Sequence, residues 1–129
     1  MAEKDPKILE IELKHGLVEI SLLSEIVPNH VQRIIKLSEE GHYNNVAFHR
    51  VIDGFMAQTG DVEFGNTKKG WNKSRAGTGG SKEPNLKAEF SKIPFDRGAL
   101  GMARAQDPNS ANSQFFIMFE AGHFLNGQY

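Results

Sequence analysis

Apolar and polar positions alternate from the start of the chain. Between Lys7 and Leu13, the residues Ile8, Leu9, Ile11 and Leu13 are interspersed with Glu10 and Glu12. After the turn signal His15-Gly16, Val18, Ile20 and Leu22 resume at every second position. Period-two spacing broken by a turn predicts two strands joined as a hairpin. From Pro28-Asn29 the period lengthens: Val31, Ile34, Ile35 and Leu37 recur at helical spacing before Gly41 supplies a stop. A helix opened by proline and closed near glycine is expected there. Residues 46–52 are again β-rich, Asp53-Gly54 has the composition of a hairpin turn, and residues 55–58 continue as a further strand.

Between Gly60 and Ser81 the sequence changes to Gly, Lys, Asn, Thr and Ser around a single Trp71. This predicts a long surface loop, and loops of that length inside a domain usually carry function. Regular pattern returns at residues 98–103 and 114–119, with a polar stretch between them. No internal repeat and no linker is visible. Many short strands with one helix predict a mainly β fold, either a closed antiparallel barrel or a sandwich with a capping helix.

Composition narrows the function classes. The 129 residues suit one domain, and the 39% hydrophobic content is that of a globular chain. Fifteen Lys and Arg against sixteen Asp and Glu give a net charge of −1, so no general phosphate-backbone binding is expected and nucleic acid is not an expected partner. The absence of cysteine excludes disulfides, thiolate nucleophiles and cysteine-ligated zinc. Residues 1–7 are polar with no apolar run behind them, and no window is apolar enough to span a bilayer. A cytoplasmic protein without membrane partners is the expectation, and the sequon Asn72-Lys73-Ser74 carries no weight without a secretory route.

Alternation places Phe48, Arg50 and Ile52 on one face of their strand. Met56 and Gln58 share a face on the next strand, and Gln114, Phe116 and Met118 share one on the last. Arg50 among such neighbours fits either a sheet edge, with its head in water, or a pocket wall. A surface of Phe and Met with one Arg and two Gln suits binding an apolar ring while hydrogen-bonding an amide. An aromatic core with amides at its rim gives the same pattern. The five histidines, His15, His30, His42, His49 and His123, show no metal-ligand spacing. No Gly-x-Ser-x-Gly elbow is present, and Gly77-Thr78-Gly79-Gly80 lacks the Lys-Ser/Thr of a phosphate loop. Asp53 and Asp61, beside glycines, have the character of turn residues. No nucleophile, metal site or acid pair supports covalent catalysis, and no cofactor is expected.

The stretch from Phe48 to Asp61, read as Phe-His-Arg-Val-Ile-Asp-Gly-Phe-Met-Ala-Gln-Thr-Gly-Asp, resembles the central signature of the cyclophilins, the cyclosporin-sensitive peptidyl-prolyl cis-trans isomerases. Gly77-Thr78-Gly79-Gly80, Gly101-Met102-Ala103 and Asn112-Ser113-Gln114-Phe115-Phe116-Ile117 resemble the family's other landmarks in the same order. The similarity runs from about Ile8 to the end.

The resemblance implies an eight-stranded closed antiparallel barrel with capping helices and a groove on its outer face. Carried over by position, Arg50 matches the catalytic arginine. Phe55, Met56 and Phe116 match the proline pocket, and Gln58 matches the amide that holds the substrate backbone. Ala103, Arg104, Gln114, Phe124, Leu125 and Tyr129 match other groove positions. Three of these depart from the common pattern: Arg104 stands where Asn is usual, Phe124 where animal members have Trp, and Tyr129 where His is common. These departures look bacterial, and the missing indole N–H implies weaker cyclosporin binding. Implied partners are proline-containing peptides and unfolded or folding proteins. A proline-peptide binding module without turnover is the alternative. Family members continue past Asn126-Gly127-Gln128-Tyr129 through two further strands and a second helix, so a single truncated domain over residues 1–129 with an incomplete barrel is expected.

Overall fold

The computed structural model describes residues 7–129. The polar residues 1–6, read as carrying no secretory signal, lie outside the described residues. Strands β1 (Lys7–Leu13) and β2 (Gly16–Leu22) form the expected hairpin, paired antiparallel from Lys7 with Leu22 to Leu13 with Gly16. The register puts the two-residue turn at Lys14-His15, one residue earlier than the glycine suggests. The inward positions Leu9, Ile11 and Ile20 are half-buried and Leu22 is buried, while Glu10, Glu12 and Glu19 face outward.

Helix α1 (Pro28–Glu39) buries Val31, Ile34 and Leu37 along one side, as the spacing requires. Its N-terminus has no cap from its own sequence. Instead Glu89, sixty residues on, accepts the N–H of Asn29 at 3.1 Å and of His30 at 2.8 Å. A carboxylate there satisfies two orphan donors and complements the helix dipole. Arg33, also buried, donates to Pro84 O at 2.6 Å and to Asn112 O at 3.1 Å. The helix is thereby bonded to the segment that approaches the groove described below.

A second sheet has the order β3-β4-β6-β5, all antiparallel neighbours, built from β3 (Arg50–Ile52), β4 (Met56–Thr59), β5 (Leu100–Met102) and β6 (Phe115–Met118). A 3₁₀ turn follows at His123–Leu125. β3 is shorter than its β-rich sequence predicts. Upstream of Arg50, Val46 bridges Asn66, Ala47 N–H donates to Gly65 O at 2.9 Å and Ala47 O accepts only the Thr59 side chain from β4, at 2.8 Å, so the backbone of Val46 and Ala47 pairs with the loop and not with β4. Phe48 consequently lies outside the strand. The β3–β4 connection takes three residues, 53–55, because Ile52 pairs with Met56 and Phe55 N–H closes the turn on Ile52 O.

Register divides this sheet into two faces. Ala57, Phe115 and Met102 lie on one, and the core there gathers Phe115 and Met102 with Leu22, Val31 and Ile34 from the hairpin and helix. Met56, Gln58, Phe116 and Met118 lie on the other, where Phe95 and Leu125 cover the apolar members. No closed barrel is present among the described residues: β2 pairs only with β1, and β5 only with β6. Between those two edges lies a mostly apolar cleft of about 340 Å³, lined by Leu22, Val31, Phe95 and Met102 among others. Among the described residues the fold is mainly β, in two sheets with one α-helix, and no helix there is long and apolar enough to cross a membrane.

Candidate active site

The hairpin β3–β4 sets Arg50 directly opposite Gln58, and Gln58 opposite Phe116 on β6. Paired residues share a sheet face, so a guanidinium, an amide and an aromatic ring stand in a row across three strands. Arg50 is exposed on the edge strand, with its head in solvent. Gln58 Nε2 donates to Gln114 Oε1 at 2.8 Å. Gln114, buried, donates through its own Nε2 to the carbonyls of Gly77 at 3.0 Å and Gly79 at 2.9 Å.

The two glycines that supply those carbonyls are held through their N–H groups by Asp61, which the sequence suggests is an ordinary turn residue. Asp61 is fully buried and accepts the backbone N–H groups of Glu63, Phe64, Gly77 and Gly79 at 2.7–3.0 Å. Burial works to raise its pKa, but the N–H donors of Phe64, Gly79, Gly77 and Glu63 outweigh it and hold the carboxyl below the usual range. The fit leaves no room at Gly79, where a Cβ would sit 2.6 Å from Asp61 Oδ1. Thus a carboxylate fixes Gly77 and Gly79 through their N–H groups, the carbonyls of the same two residues orient Gln114, and Gln114 orients Gln58. The Gly60-Asp61 and Gly77-Thr78-Gly79-Gly80 sequences each signal a turn, but nothing local says that they close on each other.

Behind this chain, Tyr43 OH donates to Ser113 O at 2.7 Å, and burial pushes its phenol pKa upward. His49 lies against Gly77, 3.0 Å from where a Cβ would stand. Burial lowers the His49 pKa, with Asp61 opposing and Arg50 assisting, so the ring is neutral near pH 7.

Beside the polar row lies an apolar group. Met56, Phe116 and Leu125 are buried together with Phe95, and Phe55, Ala103 and Tyr129 border them. Phe116 stacks on Phe95 with centroids 5.8 Å apart and meets Tyr129 edge-on at 5.6 Å. Gly101 makes this stack possible, since a Cβ there would lie 2.5 Å from Phe116 Cζ and 2.7 Å from Phe95 Cε1. Phe124 is 72% exposed, its ring 5.8 Å from that of Phe55. Arg104 turns its guanidinium onto Ala105 O, Gln106 O and Gln128 O, and over the Tyr129 ring at 4.4 Å. It braces the chain end of the site against the 103–106 segment.

Four of the selected residues, Gln58, Ala103, Arg104 and Gln114, line a groove of about 470 Å³ together with Gly77 and Gly79, and the others connect to these through strand pairing and the aromatic contacts. All eleven sequence-selected residues therefore fall in one region, on the outer face of the four-stranded sheet and the segments packed on it. Among the described residues, no group of three or more His, Asp or Glu side chains is placed to hold a metal ion. The arrangement offers an exposed guanidinium at Arg50, a second one at Arg104 engaged by three backbone carbonyls, an amide at Gln58 and a largely buried ring surface, which is chemistry for polarising and gripping without breaking a bond.

Residues 8–129 match the family model described as cyclophilin type peptidyl-prolyl cis-trans isomerase/CLD. The chain is 65% identical over 119 residues to a probable peptidyl-prolyl cis-trans isomerase of Brucella suis, covering 92% of this chain and 61% of that protein. It is 38% identical over 112 residues to peptidyl-prolyl cis-trans isomerase B of Escherichia coli, covering 87% of this chain and 62% of that one. The chain thus spans about three fifths of the length of these curated relatives. In three dimensions it is similar to a cyclophilin type isomerase of Cryptosporidium parvum crystallised in the presence of the dipeptide Ala-Pro. That similarity has a TM-score of 0.80 at 30% identity, covering 94% of this chain and 73% of the other.

Proposed function

Because this chain belongs to the cyclophilin-type peptidyl-prolyl cis-trans isomerase family, we propose that it accelerates rotation about X–Pro bonds in peptides and folding proteins, acting as one domain of that type. The observation that carries the proposal is the row Arg50, Gln58 and Phe116 on one sheet face, with Gln58 held by Gln114.

Amide resonance sets a barrier of about 18–20 kcal/mol to X–Pro rotation, so uncatalysed exchange takes tens of seconds or longer. During rotation the prolyl nitrogen becomes pyramidal and regains its lone pair. Arg50, always protonated, donates to that nitrogen and stabilises the twisted amide more than the planar one. Met56, Phe55, Phe116 and Leu125 hold the pyrrolidine ring, and their apolar surface disfavours the charge-separated resonance form of the planar amide. Gln58, with its Nε2 committed to Gln114, presents Oε1 to a substrate N–H. An acceleration of about 10⁵ requires roughly 7 kcal/mol, which a charge-assisted hydrogen bond together with positioning supplies. No cofactor takes part.

Proline-containing peptides and unfolded chains are the proposed partners. Phe124 offers cyclosporin a ring but no N–H donor, so weak binding is expected. The closed barrel belongs to the same proposal: the cleft between the β2 and β5 edges is where strands joining the two sheets would fit.

Exchange spectroscopy on a short Ala-Pro peptide tests the reading. Cis-trans exchange should rise in proportion to added protein. Saturable binding with unchanged exchange would replace the isomerase with a proline-peptide binding module.

A further inference from the structure

Residues 64–82 hold five of the fifteen Lys and Arg residues of the chain and none of its sixteen acidic residues, although the whole carries a net charge of only −1. Four of these cations, Lys68, Lys69, Lys73 and Arg75, fall within eight residues around Trp71, the single tryptophan. Trp71 is 44% exposed. The three lysines are exposed and form no ion pair among the described residues.

The backbone that carries them is fastened by its own side chains. Asn66 Oδ1 accepts the N–H groups of Lys68 at 2.9 Å and Lys69 at 3.1 Å, and Asn72 Oδ1 accepts that of Arg75 at 3.2 Å. Thr67 N–H donates to Asn45 O at 2.7 Å and Asn72 N–H to Phe64 O at 3.0 Å, while Arg75 lies over the Phe64 ring at 4.3 Å. Two residues beyond Arg75, the carbonyl of Gly77 holds Gln114 in the groove wall. Lys73 is four residues from Gly77, a span of at most ~14 Å, so an extended peptide leaving the groove on this side reaches Lys73, the nearest of the three lysines along the chain, within about four residues.

We propose that the turn at residues 66–75 is a docking surface for acidic residues flanking the proline of a polypeptide substrate, with Trp71 as its apolar contact. The proposal rests on the isomerase reading and names the substrate class of that site. A short acidic tract matches the size of the patch. A long polyanion meets a chain that is net acidic everywhere else, and one exposed aromatic gives no stacking series for successive bases. The turn is also no amphipathic helix of the kind that lies in a bilayer surface.

The test compares Ala-Pro peptides of equal length whose flanks are neutral or carry three Glu residues before or after the proline. One of the acidic peptides should show kcat/KM three- to tenfold above the neutral one at low salt, through KM. The gain should vanish near 0.5 M salt, as expected for exposed charge pairs. Trp71 emission should respond to that peptide with the same salt dependence. The combined variant Lys68→Gln, Lys69→Gln, Lys73→Gln should turn over the neutral peptide as before and lose the acidic preference. Equal kcat/KM for all peptides, a preference that survives the triple substitution, or a Trp71 response confined to oligouridylate or to phosphatidylglycerol vesicles would overturn the proposal. No turnover of any peptide would sink the isomerase reading instead. Salt-sensitive Trp71 binding of the acidic peptide would then still decide for or against the docking surface.

Discussion

Gln58 and Gln114 are joined head to tail, Nε2 of the first donating to Oε1 of the second at 2.8 Å. Both N–H groups of Gln114 are already given to Gly77 O and Gly79 O, so a flip of either amide sets donor against donor or acceptor against acceptor. The direction of the row is therefore dictated by two backbone carbonyls, and Gln58 Oε1 is left facing outward. Replacing Gln114 with Glu removes both donations and sets a carboxylate against two carbonyls. A stability loss of about 2 kcal/mol and a fall of roughly tenfold in kcat/KM are expected, read by urea titration and by peptide exchange.

Arg50 is exposed on an edge strand and supports no core contact. Arg50→Ala should leave the melting temperature within about 2 °C of the parent while lowering the exchange rate by roughly 10²–10³-fold. Peptide affinity should change much less. Equal losses in rate and affinity would remove Arg50 from the role assigned to it.

Asp61 links the site to acid stability. Its pKa lies below the usual carboxylate value, so its stabilising contribution is complete above about pH 4, the range of the unfolded group, and is lost as pH falls through the lower folded value. Denaturant midpoints measured from pH 7 down to pH 2 should decline below pH 4. Asp61→Asn should cost about 2–4 kcal/mol at neutral pH by leaving backbone donors unmatched, and should flatten that decline.

Gly101→Ala places a methyl group inside the Phe116–Phe95 stack. Since both obstructing atoms belong to packed rings, about 1–3 kcal/mol of stability should be lost. The Phe116 ring should tilt, weakening proline-peptide binding more than it changes the rate of bound peptide. Titration by NMR separates the two.

Local periodicity made much of the fold legible. The β1–β2 hairpin, α1, β4 and β6 each carry their own signal, and the faces assigned to Met56, Gln58 and Phe116 agree with the register. The β-rich residues 46–49 misled, because a loop eighteen to twenty residues away captures backbone groups of Val46 and Ala47 and propensity does not register such competition. The residues proposed for the site were selected through the resemblance and the alternation together. Asp61 and Glu89 were not. Each acts on backbone groups brought near only when the chain has folded, and neither stands in any periodic pattern.

The cap that Glu89 places on α1 arrives from sixty residues downstream. At translation speeds of about 5–20 residues per second, the helix leaves the ribosome roughly 3–12 s before the carboxylate that satisfies its first turn. During that interval α1, twelve residues long, is near the length at which an isolated helix is marginal in water. It becomes a lasting element only when the 83–89 segment docks and Met102, Ala111 and Phe115 cover its apolar side. The rate at which nascent chains acquire this domain is accordingly governed by a long-range closure, and substitutions at Glu89 should delay folding on the ribosome as well as weaken the finished protein.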